Sequence, residues 1–293
     1  MNQIFFALPG NEQLATNLAE QIGSEKGEAI IRQFPDGETY VRIESDVSGK
    51  QVVLVCTLDH PDQKLLPLYF LSKTAKSLGA QNVLLIAPYL AYMRQDKRFQ
   101  PGEGITSEYF AALVSQFANA MITIDPHLHR RSSLAEIYTI PTIVLHAADL
   151  ISDWVKNNVN SPIFIGPDEE SEQWVKQVAE NAGAPYLVLK KIRLGDKDVE
   201  VSVPDVERYR DHTPVLVDDI ISTARTMIET IGHLQKAAMK KPVCIGVHGI
   251  FSGSAYEELI TAGAGEVITT NTIPHSSNKI AVEGLIVPRI LTG

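Results

Sequence analysis

The feature that most constrains this chain is an alternation that runs through it twice. Apolar run Val52–Thr57, helical window Asp62–Leu78, run Val83–Ala87, window Ser107–Phe117 and run Met121–Asp125 form one series. Val215–Asp219, Met227–Lys236, Val243–Val247, Ala255–Thr261 and Val267–Thr270 form a second in the same order. The closing runs even read alike, Met121-Ile-Thr-Ile-Asp-Pro-His against Val267-Ile-Thr-Thr-Asn-Thr-Ile-Pro-His. Short runs that are apolar throughout suit strands covered on both faces, and helices between them supply the cover. Leu65, Leu68, Leu71, Ala75 and Leu78 recur at three- and four-residue spacing and predict one apolar helix face.

Further strands are expected at Ile4–Leu8, Val41–Ile43, Ile143–Leu145 and Ile163–Ile165, and further helices at Glu12–Ile22, Leu150–Asn157 and Glu172–Asn181. The expected class is α/β, with two similar domains, each a mainly parallel sheet flanked by helices. A length of 293 residues fits roughly two domains. The boundaries are set at 1–147 and 148–293, with the last ten or so residues returning to the first domain. Such a duplication is expected to put one cleft between two sheets, at the carboxyl ends of their strands.

Composition removes several function classes. The net charge is −9, from 26 basic and 35 acidic residues, which argues against a general nucleic-acid or membrane-surface binder. It leaves small anionic substrates open, because local groups decide their binding. Cys56 and Cys244 each fall in or beside an apolar run and read as core residues of a reducing compartment. No run approaches the roughly 18 apolar residues of a membrane span, and the first residues lack the basic flank of a signal peptide. A cytoplasmic protein is expected.

Val215-Leu-Val-Asp-Asp-Ile-Ile-Ser-Thr-Ala-Arg-Thr226 carries the densest chemistry. A strand is expected to end in Asp218 and Asp219, carboxylates suited to a sugar diol or magnesium. Ser222, Thr223 and Thr226 offer hydroxyls beside the start of a helix at Met227. The first N–H groups of a helix lack intrahelical partners, so an anion fits there. Carboxylates for a ribose beside donors for its phosphate make a phosphoribosyl-binding loop; an ordinary strand–turn–helix with an acidic cap is the other reading.

Four other segments put polar residues after apolar runs. Phe34-Pro-Asp-Gly-Glu38 is either a hairpin tip, from its Asp-Gly signal, or a binding element. Tyr92-Met-Arg-Gln-Asp-Lys-Arg-Phe99 is either a solvated charged loop or a cradle for polyphosphate and a purine. In Asp125-Pro-His-Leu-His129, alternate residues of an extended chain share a face, so the carboxylate and both imidazoles are expected to converge on a metal or a phosphate. Arg130 and Arg131, which follow, favour phosphate. Leu189-Lys-Lys-Ile-Arg193 sets Lys191 and Arg193 on one arm of a hairpin that returns through Val199–Val203.

In this order the segments closely resemble the ribose-phosphate pyrophosphokinase family, also called phosphoribosyl-pyrophosphate synthetases, and within it the archaeal-type branch. The resemblance covers nearly the whole chain and implies that both domains are phosphoribosyltransferase-like. Members move the diphosphoryl group of Mg·ATP to the anomeric hydroxyl of ribose 5-phosphate, giving phosphoribosyl pyrophosphate and AMP.

By position, the resemblance implies that Phe34, Asp36 and Glu38 form an adenine pocket donated across a dimer interface. Arg94, Gln95 and Asp96 hold ATP. His127 meets the magnesium–phosphate group, and Asp168 lies beside ribose and metal. Asp218 and Asp219 take the ribose hydroxyls, while Ser222, Thr223, Ala224, Arg225 and Thr226 cradle the 5-phosphate. Lys191 and Arg193 are the catalytic cations of a mobile flap. Mg2+ is the implied cofactor, ATP and ribose 5-phosphate are the implied partners, and the chain is a homodimer or larger homo-oligomer.

Two departures stand out. The family's loop carries Gly where this chain has Arg225, so the backbone there is expected to be reshaped or the guanidinium to grip phosphate directly. Glu169, Glu170 and Ser171 follow Asp168 where small or basic residues suit pyrophosphate, and carboxylates there repel a diphosphate. The departures keep two alternatives open: a weakly catalytic, nucleotide-binding regulatory paralogue, and a nucleobase phosphoribosyltransferase.

Overall fold

The structure is a computed structural model that describes residues 2–128, 130–166, 172–193, 199–202 and 206–292. It divides into two compact units: Met1–His146 with Thr272–Pro274 and Glu283–Gly293, and Ala147–Asn271 with His275–Val282.

Unit 1 runs through β1 (Gln3–Ala7), α1 (Glu12–Ile22), β2 (Glu25–Lys26), β3 (Ala29–Gln33), β4 (Thr39–Ile43), β5 (Gln51–Val55), α2 (Pro61–Ser77), β6 (Asn82–Ala87), α3 (Thr106–Phe117), β7 (Ala120–Ile124) and β8 (Thr142–Leu145). Six of its strands make a parallel sheet in the order β2-β1-β5-β6-β7-β8. Val52–Val55 of β5 and Leu85–Ala87 of β6 have no exposed surface, which is why their sequence shows no polar alternation. On α2 the buried positions are Leu68, Leu71, Ser72 and Ala75. Leu65 packs at the edge of the same core. Leu78 does not share this stripe: it lies just past the helix end and is half exposed.

Unit 2 repeats the plan with α4 (Ala148–Asn158), β9 (Pro162–Gly166), α5 (Glu172–Ala182), β10 (Tyr186–Val188), β11 (Lys190–Arg193), β12 (Val199–Ser202), β13 (Thr213–Ile221), α6 (Arg225–Lys236), β14 (Val243–Gly249), α7 (Ala255–Ala262), β15 (Glu266–Thr270) and β16 (Asn278–Ile280). Its parallel sheet has the order β10-β9-β13-β14-β15-β16, strand for strand that of unit 1. Each unit also carries an antiparallel hairpin between the second and third strands of its series, β3–β4 in one and β11–β12 in the other. The repeat visible in the sequence is therefore a repeat of fold.

In both sheets the strand order reverses once, between β1 and β5 and between β9 and β13. Open parallel sheets bind ligands outside the carboxyl ends of the strands at such a reversal. The last helix, α8 (Glu283–Thr292), belongs to unit 1, where Asn17 of α1 donates to the buried Glu283 at 2.7 Å. Cys56 and Cys244 are both buried free thiols. Burial pushes each thiol up to about 12, so neither is a ready nucleophile. No helix among the described residues is long and apolar enough to cross a membrane.

Candidate functional site

In unit 2 the reversal point carries an open depression. Strand β13 continues past the carboxylates to Ile221, because Ile220 and Ile221 still pair with His248 and Gly249 of β14. Asp218 and Asp219 are thus half-buried within the strand, where the sequence suggested they would end it. Ser222, Thr223 and Ala224 make the turn, and α6 begins at Arg225, two residues before the expected start. Asp218 and the run from Ile220 to Met227 line a pocket of about 90 Å³. That is several times the ~10–15 Å³ that one water requires, so a small oxyanion fits.

The electrostatics of this pocket favour an anion. Helix α6 has no acidic residue in its first turn and no side-chain cap. Its first amides therefore keep their donors, at the end where the helix carries about half a positive charge. The exposed Arg225 adds a full one. Ala224 is left-handed, with φ 57° and ψ 6°, and the helical residues after it complete the change of hand that shapes anion-binding concavities. Arg225, by contrast, is an ordinary first residue of the helix and is absent from the positive-φ positions. The residue under conformational demand in this turn is Ala224.

Ser252 supports the loop and was not singled out from the sequence. Its amide donates to the Ser222 carbonyl at 3.0 Å, and the two hydroxyls lie 3.1 Å apart. A small polar residue just after the apolar β14 was the available signal.

At the same reversal in unit 1 the chain bonds to itself. Asn11 accepts from the Thr57 amide at 2.8 Å, and Lys64 donates to the Thr57 carbonyl at 3.0 Å and pairs with Asp59. The residues predicted to hold the phosphates of ATP follow β6 and β7. Tyr92, with φ 63°, launches the first of these loops. Its hydroxyl is hydrogen-bonded to Asp62, which pushes its pKa up to about 12, and its ring lies 4.8 Å from Phe110. The loop is thereby pinned to α2 and α3. Arg94 is exposed; Gln95 accepts from the Thr106 hydroxyl at 3.0 Å. Asp96 is buried and accepts from Arg130 at 3.1 Å.

Beyond β7 the chain turns sharply, since Asp125 has φ 35°. Asp125 itself is therefore outside the extended conformation that the spacing suggested. Asp125 is hydrogen-bonded to His146 Nδ1 at 2.8 Å, and this bond raises the His146 pKa. His127 is half-buried in the loop that follows, and His129 lies outside the described residues.

Phe34, Asp36 and Glu38 stand together at the exposed tip of β3–β4. Gly37, at φ 90°, closes the turn: its amide donates to the Phe34 carbonyl at 2.9 Å, and the Phe34 amide donates to Glu38 at 2.8 Å. This is a three-residue hairpin loop with glycine at its left-handed position. Arg32 spans the rings of Phe34 and Tyr40 at 4.7 and 4.4 Å, which steadies the aromatic tip.

Lys191 and Arg193 are described by their backbone alone, on β11 opposite Val201 and Val199. Asp168, Glu169, Glu170 and Ser171 lie outside the described residues.

A parallel sheet whose reversal point ends in a hydroxyl-rich turn and an uncapped helix defines a phosphoribosyltransferase-type domain. The phosphoribosyl transferase domain family matches residues 133–284, and the family of the N-terminal domain of ribose phosphate pyrophosphokinase matches residues 3–117. A ribose-phosphate pyrophosphokinase of Methanopyrus kandleri is 31% identical over 281 residues, covering 95% of each chain. One of Methanobrevibacter smithii is 29% identical over 283 residues, covering 93% of this chain and 94% of its own. The chain belongs to the ribose-phosphate pyrophosphokinase family. In fold it is similar to the crystal structure of a phosphoribosylpyrophosphate synthetase from Mycobacterium smegmatis, with a TM-score of 0.86 at 23% identity over 100% of this chain and 98% of the other.

Proposed function

We propose that this protein transfers the β,γ-diphosphoryl group of ATP to the anomeric hydroxyl of ribose 5-phosphate, releasing phosphoribosyl pyrophosphate and AMP. The observation that carries the reading is the pocket at the reversal point of unit 2. Asp218 suits ribose hydroxyls there, and the uncapped start of α6 with Arg225 suits the 5-phosphate. Asp219, Ser222, Thr223, Ala224 and Thr226 complete that side, and Asp168 is proposed beside it. Phe34, Asp36 and Glu38 hold the adenine, and Arg94, Gln95 and His127 hold the phosphates of ATP.

In the reaction the anomeric oxygen attacks the β-phosphorus and AMP leaves through its own phosphate oxygen. Such a transfer needs in-line positioning and neutralised charge more than covalent help. Lys191 and Arg193, two positions apart on β11, fall on one face of the hairpin. Their proposed work is to stabilise the charge that grows on the leaving oxygen.

Magnesium fits this donor set. Among the described residues no group of three or more His, Cys, Asp or Glu forms a cage. Magnesium is ordinarily held by one or two protein groups, waters and the phosphates of its substrate. His127 and Asp168 are the residues proposed to hold it, and when bound it neutralises phosphate oxygens. A homo-oligomer in the cytoplasm completes the proposal.

Release of AMP from ATP, measured with and without ribose 5-phosphate, tests the reading. The synthetase yields AMP only when the sugar phosphate is present. ATP binding without turnover would instead identify a regulator, and consumption of phosphoribosyl pyrophosphate with a base would identify a transferase.

A further inference from the structure

We infer that Arg130 is a further nucleotide-binding residue that grips the polyphosphate of ATP, and that Asp96 is its positioning residue and does not itself touch the nucleotide. The inference rests on the ATP reading above.

The two side chains are unequally exposed, Asp96 at 3% and Arg130 at 45%. The Asp96 carboxylate therefore presents almost nothing to a ligand, and a carboxylate set against phosphate oxygens would repel them. It does hold Arg130, whose Nη1 donates to both its oxygens at 3.1 and 3.3 Å. Phe99 supports the guanidinium from another side, with its ring centroid 5.5 Å from the Arg130 carbon. Lys97 lies over the same ring at 5.1 Å, so one aromatic ring steadies two cations.

Only one nitrogen of Arg130 is engaged among the described residues. Among the described residues its Nε and Nη2 make no hydrogen bond. Arginine has five N–H donors in a fixed fork that matches phosphate oxygens two at a time. A half-exposed guanidinium, fixed through one nitrogen and stacked on a ring, keeps that fork ready at little further cost in side-chain entropy.

The next residue makes the contrast. Arg131 is 14% exposed and spent on protein partners, Glu108 at 2.8 Å and Glu136 at 3.7 Å. Of the two arginines, one is structural and one is presented.

Location agrees. β6 and β7 are adjacent parallel strands. Arg94 and Gln95 follow the carboxyl end of the first, and His127 and Arg130 follow that of the second. The Asp96–Arg130 pair ties the two loops together, so a polyphosphate reaching Arg94 lies at the sheet end that carries Arg130.

Calorimetric titration of the intact protein with ATP and with AMP tests this. Arg130→Ala should weaken ATP about tenfold, the loss of a charged hydrogen-bonding partner, while AMP moves less than about twofold. Arg130→Lys should recover part of the loss, since it keeps the charge without the fork. Asp96→Asn should weaken ATP by itself and add nothing in the Arg130→Ala background. The inference is overturned if Arg130→Ala binds ATP as wild type does, if ATP and AMP lose equally, or if the Asp96→Asn loss adds in full to that of Arg130→Ala. Wild-type protein that binds no ATP would instead overturn the nucleotide reading beneath it.

Discussion

Ala224 and His60 occupy equivalent places in the two sheets, and both are left-handed, with φ 57° and 48°. Each stands just before the first turn of the helix that follows the third strand of its series. The backbone device is the same, but the side chains around it have diverged. In unit 1 Lys64 pairs with Asp59 and reaches the Thr57 carbonyl. In unit 2 the equivalent turn opens onto a pocket lined by Arg225 and α6 amides. A repeated fold thus keeps its loop geometry in both copies while the side chains at the two turns differ.

Ala224→Gly is expected to raise stability. A non-glycine residue held left-handed costs of order 1–3 kcal/mol, and alanine is a poor N-cap where glycine is better. Glycine's larger unfolded-state entropy returns part of that gain, leaving roughly 0.5–1 kcal/mol. Ala224→Val should lose more than about 1 kcal/mol, because a branched side chain is worse still at positive φ. Thermal unfolding of both variants checks the pair, and a lower midpoint for the glycine variant contradicts the argument.

Arg225→Gly separates the two roles open to this residue. Its backbone is helical, so glycine relieves no strain and costs up to about 1 kcal/mol in helix propensity. What is lost is a cation at the pocket wall. The KM for ribose 5-phosphate should rise several-fold, with the KM for ATP unchanged. An unaltered sugar-phosphate KM would remove Arg225 from binding.

The pair Asp125–His146 predicts a pH dependence of definite sign. The hydrogen bond to Asp125 raises the His146 pKa, outweighing burial. A raised pKa means that the pair contributes fully below the ordinary histidine value of about 6.5. The contribution is lost as pH rises through the higher folded value. It is small, because the imidazole is 71% exposed. In Asp125→Asn, the His146 titration followed by NMR should move to lower pH. A midpoint that stays where it was in wild type would rule the pairing out.

The sheets were legible because their strands are buried on both faces, so burial itself writes continuous apolar runs such as Val52–Val55. Elements held by distant partners were not. β2 has two exposed residues and exists by pairing with Ile4 and Phe5. β3 mixes Ala29-Ile-Ile with Arg32-Gln33 and is defined by its ladder to β4. Helix α8 contains Pro288, which locally signals a break. It forms because Ile286 and Ile290 are buried and Glu283 receives Asn17.

The site divides along the same line. Strand-end polar clusters pointed to Arg94, Gln95, His127, Asp218 and the Ser222–Thr226 turn, because polar residues after an apolar run are a local signal. Which residue bears positive φ, and which carboxylate is spent on an arginine, depend on tertiary contacts. Ala224 and Asp96 therefore had to be read from the structure.

The hairpin β11–β12 occupies in unit 2 the insertion that β3–β4 occupies in unit 1, between the second and third strands of the series. A hairpin attached at that point is free to carry cations without disturbing the parallel sheet. Lys191 and Arg193 stand two positions apart on β11, and in the proposed mechanism a change at Lys191 affects transfer and leaves ATP binding in place. Lys191→Ala is expected to lower kcat by about 10²–10³, the usual cost of losing one preorganised donor at a developing charge. The Kd for ATP should stay within a few-fold of wild type, because the residues proposed to hold adenine and phosphate belong to unit 1. Single-turnover AMP formation together with ATP titration distinguishes the cases. A fall in both would make Lys191 a binding residue, and a fall in neither would remove the hairpin from the mechanism.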